Sequence, residues 1–214
     1  MRNSPQIRPH TVKNYHRFRE FVARFTLLVS ATGADEERIF SEGAALLSEL
    51  VSHDDWLPDE FAAASADSHR QYLLYCDQQE RFSVVSFVFA PGQKTPAHDH
   101  AVWGLVGMMR GEEWCREYAP PRPGRPMRIA GEHRVGSGQI DKVSPGGDIH
   151  VVANALSDRP AVSIHVYGAN IGAVRRHIFD EATGVARPFV SGYHNSVMPD
   201  FWGCAAEPRR RWGT

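Results

Sequence analysis

The stretch Lys94-Thr95-Pro96-Ala97-His98-Asp99-His100-Ala101-Val102-Trp103-Gly104, "KTPAHDHAVWG", sets two imidazoles one residue apart just after a proline. On a β-strand, residues i and i+2 share a face. His98 and His100 would then stand side by side while Asp99 points away. Such a pair can chelate a metal ion, since imidazole is the commonest metal ligand. The triplet alone does not decide the matter, because the chain has 11 histidines and a His-x-His pair also occurs on solvated strands.

The 214 residues, 42% of them hydrophobic, suffice for one sizeable domain with its own core. Lys plus Arg (24) nearly balances Asp plus Glu (25), so no broad basic field favours nucleic acid. A small-molecule partner is expected. The first twenty residues lack the apolar core of a secretory signal, and no run of about 18 apolar residues occurs, which argues against a membrane. A cytoplasmic protein is expected. Cys76, Cys115 and Cys204 are odd in number and widely spaced, with no C-x-x-C pair, which argues against a disulfide framework or a zinc knuckle. The final "EPRRRWGT" reads as a solvated basic tail.

Two amphipathic helices are expected over residues 15–31 and 35–55, the second opened by Asp35, Glu36 and Glu37, and a short third one over 58–66. From about residue 70 the texture changes to short β-branched and aromatic runs: "YLLYC", "FSVVSFVFA", "VWGLVGMM", "EWCREY", "IDKVS", "IHVVANA" and "AVSIHVYG". Many short strands with frequent turns mean a sandwich or barrel. The expected organisation is a helical segment, residues 1–66, packed outside a mainly β barrel with a C-terminal extension, residues 67–214. The Pro-rich "APPRPGRP" (119–126) reads as a rigid connecting loop.

Downstream lies "SPGGDIHVVANA" (144–155), where Pro145 and Gly147 suit a tight turn into a strand bearing His150 and, four residues on, Asn154. Together the two blocks resemble the paired signatures of the cupin superfamily: Gly92, His98, His100 and Gly111, then Gly138, Pro145, Gly147, His150 and Asn154. The resemblance implies a double-stranded β-helix barrel. The first block departs from the usual cupin pattern, which has a glutamate soon after the second histidine, where Val102, Trp103, Gly104 and Leu105 stand here. Three neutral imidazoles would leave a divalent ion its full charge, a setting that favours an anionic ligand.

A third block, "SIHVYGANIGAVRRHIF" (163–179), alternates Ser163, His165 and Tyr167. Facing inward they would form a hydrogen-bonded relay; facing outward they would be the polar side of a half-exposed strand. With "HDHAVWGLVGMMRG", "GDIH" and "FVSGY", this block resembles the thiol dioxygenases, the family of cysteine dioxygenase, and within it the bacterial 3-mercaptopropionate dioxygenases, over roughly residues 68 to 195. The resemblance implies Fe(2+) held by His98, His100 and His150, an outer relay of Ser163, His165 and Tyr167, and Arg176 as the clamp for a substrate carboxylate. It also implies a small thiol and dioxygen as substrates and a sulfinate as product.

Two departures from the animal enzymes matter. Their cysteine that can link to the active-site tyrosine is matched by Gly104, so Tyr167 is expected to be unmodified. Their early-strand arginine is matched in "SHRQYLLY" by Gln71, with Arg70 one residue away; only one of these neighbours can enter the pocket, and Gln71 is the expected one. Gln71 with Arg176 favours 3-mercaptopropionate over cysteine. The alternatives are cysteine as substrate, another metal-dependent cupin enzyme, and a non-catalytic ligand-binding cupin.

Overall fold

A computed structural model describes residues 13–202 except residues 34 and 147. The basic tail and the Gly147 part of the expected turn lie outside the described residues. Helix α1 spans Tyr15–Thr32 and buries Phe18, Phe21, Val22 and Phe25, the i, i+3, i+4, i+7 stripe of an amphipathic helix. The expected second helix is composite: α2 (Glu36–Arg38), a π-helical turn (Ile39–Gly43) and α3 (Ala44–Val51). Asp35 caps it, its carboxylate accepting from the Arg38 amide at 3.1 Å. The third helical stretch is a single 3-10 turn, Asp59–Ala62. No helix among the described residues is long and apolar enough to cross a membrane.

Among the described residues eleven strands follow: β1 (Arg70–Cys76), β2 (Ser83–Phe89), β3 (Ala97–His98), β4 (Gly104–Arg110), β5 (Glu112–Tyr118), β6 (Ile129–Gly136), β7 (Ile140–Val143), β8 (Ile149–Asn154), β9 (Ala161–Tyr167), β10 (Arg176–Phe179) and β11 (Ala186–Phe189). They form two antiparallel sheets, ordered β1-β2-β9-β4-β7 and β11-β10-β3-β8-β5-β6. This is the mainly β, double-stranded β-helix barrel, with its helices packed outside.

The helices cover the outer face of the first sheet. Phe18, Phe25 and Trp56 share one cluster with Leu74, Phe82, Val84, Leu105, Ile164 and Val166. Trp56 is fully buried and its indole N–H donates to the Leu50 carbonyl at 3.1 Å. Strands β2 and β9 are therefore buried on both faces and read as unbroken apolar runs. The outer face of the second sheet is only partly covered: Ala97, Tyr118, Ile149 and Val151 form a small buried cluster there, while β5 and β6 alternate, with ion pairs such as Arg116 to Glu132 (2.6 Å) and Arg134 to Glu112 (2.7 Å) in water. Strands β3, β6, β10 and β11 were not among the expected ones, because two are polar on their exposed side and all but β6 are four residues or fewer.

Candidate metal centre and its pocket

His98 ends β3 and stands directly opposite His150 on β8, a cross-strand pair that brings the two rings together. The strand stops there: His100 lies beyond it, before a turn in which Ala101 takes φ 60°. The rings still converge. Their centroids form a nearly equilateral triangle with sides of 4.7, 4.9 and 4.8 Å. Asp99 turns away, its carboxylate bonded to the His177 amide and ring.

Burial holds all three imidazoles neutral. It lowers His98 to about 4, against the opposing pull of the Pro96 carbonyl, and it lowers His100 and His150 further, with the neighbouring rings adding to the effect. Each ring therefore offers a lone pair at neutral pH. His98 Nδ1 lies 3.0 Å from the Pro96 carbonyl, which fixes its proton there and leaves Nε2 free. His150 Nδ1 meets Cys115 Sγ and an Asp148 carboxylate oxygen, both at 3.6 Å. His100 Nδ1 is fully buried with no partner among the described residues, a costly state for a polar atom unless its ring is anchored otherwise. Three convergent neutral nitrogen donors, two of them with their rings anchored by outer partners, fit a divalent metal ion.

Ser163, His165 and Tyr167 lie on β9, and all point into the barrel. Tyr167 Oη is 2.8 Å from His165 Nδ1, and His165 Nε2 is 2.8 Å from Ser163 Oγ. The chain continues to a residue the sequence reading did not single out: Ser163 Oγ donates to Glu113 Oε1 at 2.7 Å. Burial lowers His165 to about 3 and raises the Tyr167 phenol, so both are neutral. The same cause pushes Glu113 up to about 7, with the Ser163 bond opposing and Asp141 adding. The pattern "GEEWC" contained a signal for Glu113, since residues 113 and 115 share the inward face of β5. Cys115 is there too, its thiol raised by burial.

At the other side of the histidines a cavity of about 250 Å³ opens, lined by Gln71 and Arg176 together with His98. Arg176 begins β10, is buried, and packs its guanidinium over the Phe189 ring at 4.8 Å. Among the described residues no carboxylate pairs with it, and its Nε is buried without a partner. Arg176 Nη2 donates to Ser191 Oγ at 2.6 Å, and Gln71 Nε2 donates to the same oxygen at 3.2 Å and to the Gly192 carbonyl at 3.0 Å. Arg70 points to the opposite face, where it bonds Ser65 Oγ at 2.5 Å. Arg175 is exposed.

Ser191 and His69 also belong to this mouth and were missed in the sequence. His69, expected to be an incidental histidine, stacks on Phe87 and Phe89 at the cavity wall. Nothing in its local pattern signals that place. Phe87 lines the cavity and lies 4.4 Å from the His165 ring, while Trp103 packs outward toward Phe25 of α1. A Cβ at Gly104 would sit 2.9 Å from two Tyr167 ring carbons, so the absent side chain is what gives the tyrosine ring its room.

A cupin barrel enclosing three convergent histidines that could hold a metal ion defines the class. The family described as cysteine dioxygenase type I matches residues 44–181, and the chain belongs to that family. Among solved structures the chain is similar to a protein with a double-stranded β-helix domain from Klebsiella pneumoniae (20% identity, 56% of this chain and 94% of that one, TM-score 0.42). It is also similar to a cupin superfamily protein from Desulfitobacterium hafniense (14% identity, 55% and 94%, TM-score 0.41).

Proposed function

We propose that the protein is an iron-dependent thiol dioxygenase that combines a small thiol carboxylate, 3-mercaptopropionate before others, with dioxygen to give the sulfinate. The observation that carries this reading is Arg176: a buried guanidinium that among the described residues has no carboxylate partner and an unpartnered Nε, in the same cavity as His98. Burying an unpaired charge is expensive, so the site is built to be completed by an anion.

Ferrous iron bound by His98, His100 and His150 would supply open positions for a thiolate and dioxygen, and would favour the thiolate over the thiol. Arg176 can present a two-pronged donor edge to a carboxylate, which a lysine could not match. Ser191 steadies that edge and the neutral amide of Gln71 together. Phe87, Phe189 and Ile178 keep the mouth apolar, which strengthens the charged contact. Tyr167 stacks beside His100, with ring centroids 5.6 Å apart, so its hydroxyl can reach substrate bound at the centre. Cysteine fits less well: among the described residues lining the mouth there is no carboxylate to receive its ammonium group, which would face Arg176. A cytoplasmic setting suits a thiol substrate and the free Cys76 and Cys115.

Oxygen uptake by the iron-loaded protein across 3-mercaptopropionate, cysteine, cysteamine and mercaptosuccinate tests this. The highest kcat/KM is expected for 3-mercaptopropionate, with cysteamine poor because it lacks a carboxylate. A kcat/KM for cysteine equal to or above that for 3-mercaptopropionate would make this a cysteine dioxygenase. No thiol-dependent uptake at all would return the protein to the wider class of metal-dependent cupins.

A further inference from the structure

The Tyr167, His165, Ser163 chain does not end at the serine, and the groups along it can carry only certain arrangements of protons. Three hydrogen bonds link four groups: Tyr167 Oη to His165 Nδ1, His165 Nε2 to Ser163 Oγ, and Ser163 Oγ to Glu113 Oε1. Neutral His165 has one N–H, and Ser163 has one O–H. We propose that Glu113 is the proton terminus of this chain, and that its charge state selects the tautomer of His165 and so decides whether the Tyr167 hydroxyl donates into the pocket.

With Glu113 ionised, the Ser163 hydroxyl must donate to the carboxylate. Ser163 Oγ is then the acceptor for His165 Nε2–H, and His165 Nδ1 is left as an acceptor for the Tyr167 hydroxyl. The phenol proton is thereby turned away from the metal centre. With Glu113 protonated, every bond can run the other way. The carboxyl donates to Ser163, Ser163 to His165 Nε2, and His165 Nδ1–H to the Tyr167 oxygen, which frees the phenol O–H to donate toward bound substrate. The two states differ by one proton. A proton taken up at Tyr167 Oη from the pocket is matched by transfers from Tyr167 to Nδ1, from Nε2 to Ser163, and from Ser163 to Glu113, each breaking one O–H or N–H bond and forming the next. Glu113 is a positioning residue, since it touches neither the metal site nor substrate.

The surroundings make both states accessible. Burial brings Glu113 to about 7, so its proton comes and goes near neutral pH. The titratable groups sharing its cavity are Cys115 on its own strand, Asp141 on β7, His150 on β8, His98 and His100 beyond them, and His165 and Tyr167 on β9. The histidines, the thiol and the phenol are all held neutral. Asp141 brings negative charge to the set and favours the protonated carboxyl; its Oδ2 is bonded at 2.9 Å to His133, the group facing it from β6.

The inference rests on the proposed function only in giving the Tyr167 proton a reaction to serve, and the experiment separates the two. Histidine nitrogen resonances of isotope-labelled protein, with zinc as a diamagnetic ion at the metal site, report the His165 tautomer directly. From about pH 9 down to about pH 5 the wild type should pass from Nε2–H to Nδ1–H. Glu113→Gln should hold one tautomer throughout. Ser163→Ala, which cuts the chain between carboxyl and ring, should also abolish the change and serves if the first variant does not fold. In the iron-loaded enzyme, kcat/KM should fall by about tenfold per pH unit on the alkaline side in the wild type and lose that limb in Glu113→Gln. A single wild-type tautomer across the range, or the same switch in both variants, would overturn the proposal. A tautomer switch without thiol-dependent oxygen uptake would leave the relay standing and remove the dioxygenase reading.

Discussion

The sheet that carries Ser163, His165 and Tyr167 is covered by helices on its outer face, whereas the sheet that carries His98, His150 and Arg176 has only the small buried cluster of Ala97, Tyr118, Ile149 and Val151 on its outer face and meets water along β5 and β6. The difference reaches down to single strands. Strand β9 is seven residues long, buried throughout, and paired along its length with β2 on one side and β4 on the other. Strand β3 has two residues, and its register with β8 is the single pair His98 and His150. A relay of three bonds at 2.7 to 2.8 Å tolerates little drift, and three of its four groups sit on β9, which is buried throughout. The rings of His98 and His150 are aimed by their outer partners, and a bound ion would draw all three imidazoles together. Changes in the open wall should therefore strike binding and activity, and changes behind the covered wall should strike stability.

The largest effect is expected in the open wall. His150→Ala removes one of three ligands, so metal affinity should drop by more than the ~100-fold that loss of an outer partner costs, and activity should vanish with it. The metal-free protein should keep its stability within ~1 kcal/mol, since no large apolar contact is lost. Metal content after dialysis and urea unfolding check both halves. A variant that retained a full equivalent of metal would break the contrast from this side.

Behind the covered wall, Trp56→Ala should lower unfolding free energy by about 3 to 5 kcal/mol, because it empties a fully buried site stacked on Phe18 at 5.2 Å. The folded fraction should still bind one metal per chain. Urea unfolding and metal titration together give the answer, and a loss of metal stoichiometry in folded protein would show that the two walls are not separable.

The same difference explains what could be read from the sequence. Runs such as "FSVVSFVFA" and "AVSIHVYG" announce strands buried on both faces, and the helical stripe Phe18, Phe21, Val22, Phe25 announces what covers them. The three histidines were legible through the resemblance of their two blocks to the cupin signature, although the strand alternation fails at His100, which lies past the end of β3. Strand β6 was hidden because, of its apolar side chains, Val135 alone is buried and Ile129 is exposed. Glu113 lay within reach of the alternation in "EEWC", but an acidic residue in a short strand looks like a solvent-facing one until β9 is placed opposite. Ser191 and His69 reach the pocket through folding of distant segments, a juxtaposition that no local spacing encodes.

A smaller effect should distinguish the two polar residues of the mouth. Arg176 from the open wall carries the charge; Gln71 from the covered wall is a neutral neighbour tied to the same Ser191 oxygen. Arg176→Ala should cost about 2 kcal/mol more in kcat/KM for 3-mercaptopropionate than Gln71→Ala, the difference between a charged and a neutral hydrogen-bonding contact. Equal losses would mean that the substrate carboxylate is not held by the guanidinium.

The effect that tests the covered wall from within is the pH dependence contributed by His165, which is nil near neutral pH and grows only as the solution is acidified. Burial lowers its pKa from 6.5 to about 3, so between those values the unfolded chain binds a proton that the native state refuses. Its contribution to stability is complete above the unfolded value and is lost as pH falls toward the folded one, at about 1.4 kcal/mol per pH unit. Glu113 acts with the opposite sign. Its pKa rises from 4.5 to about 7, so the native state keeps a proton the unfolded chain has released, and its contribution is complete at low pH and lost as pH rises through that window. The two slopes oppose each other wherever the windows overlap, which would conceal both in the wild type. Replacing His165 with glutamine removes one of them. In metal-free protein followed by urea unfolding, the stability difference between wild type and His165→Gln should therefore be constant above about pH 7 and shift against the wild type, by about 1.4 kcal/mol per unit, as the solution is acidified. A difference that stays flat down to acid pH would mean that the imidazole is charged or solvated in the folded state, and the covered wall would then be less closed than its packing implies.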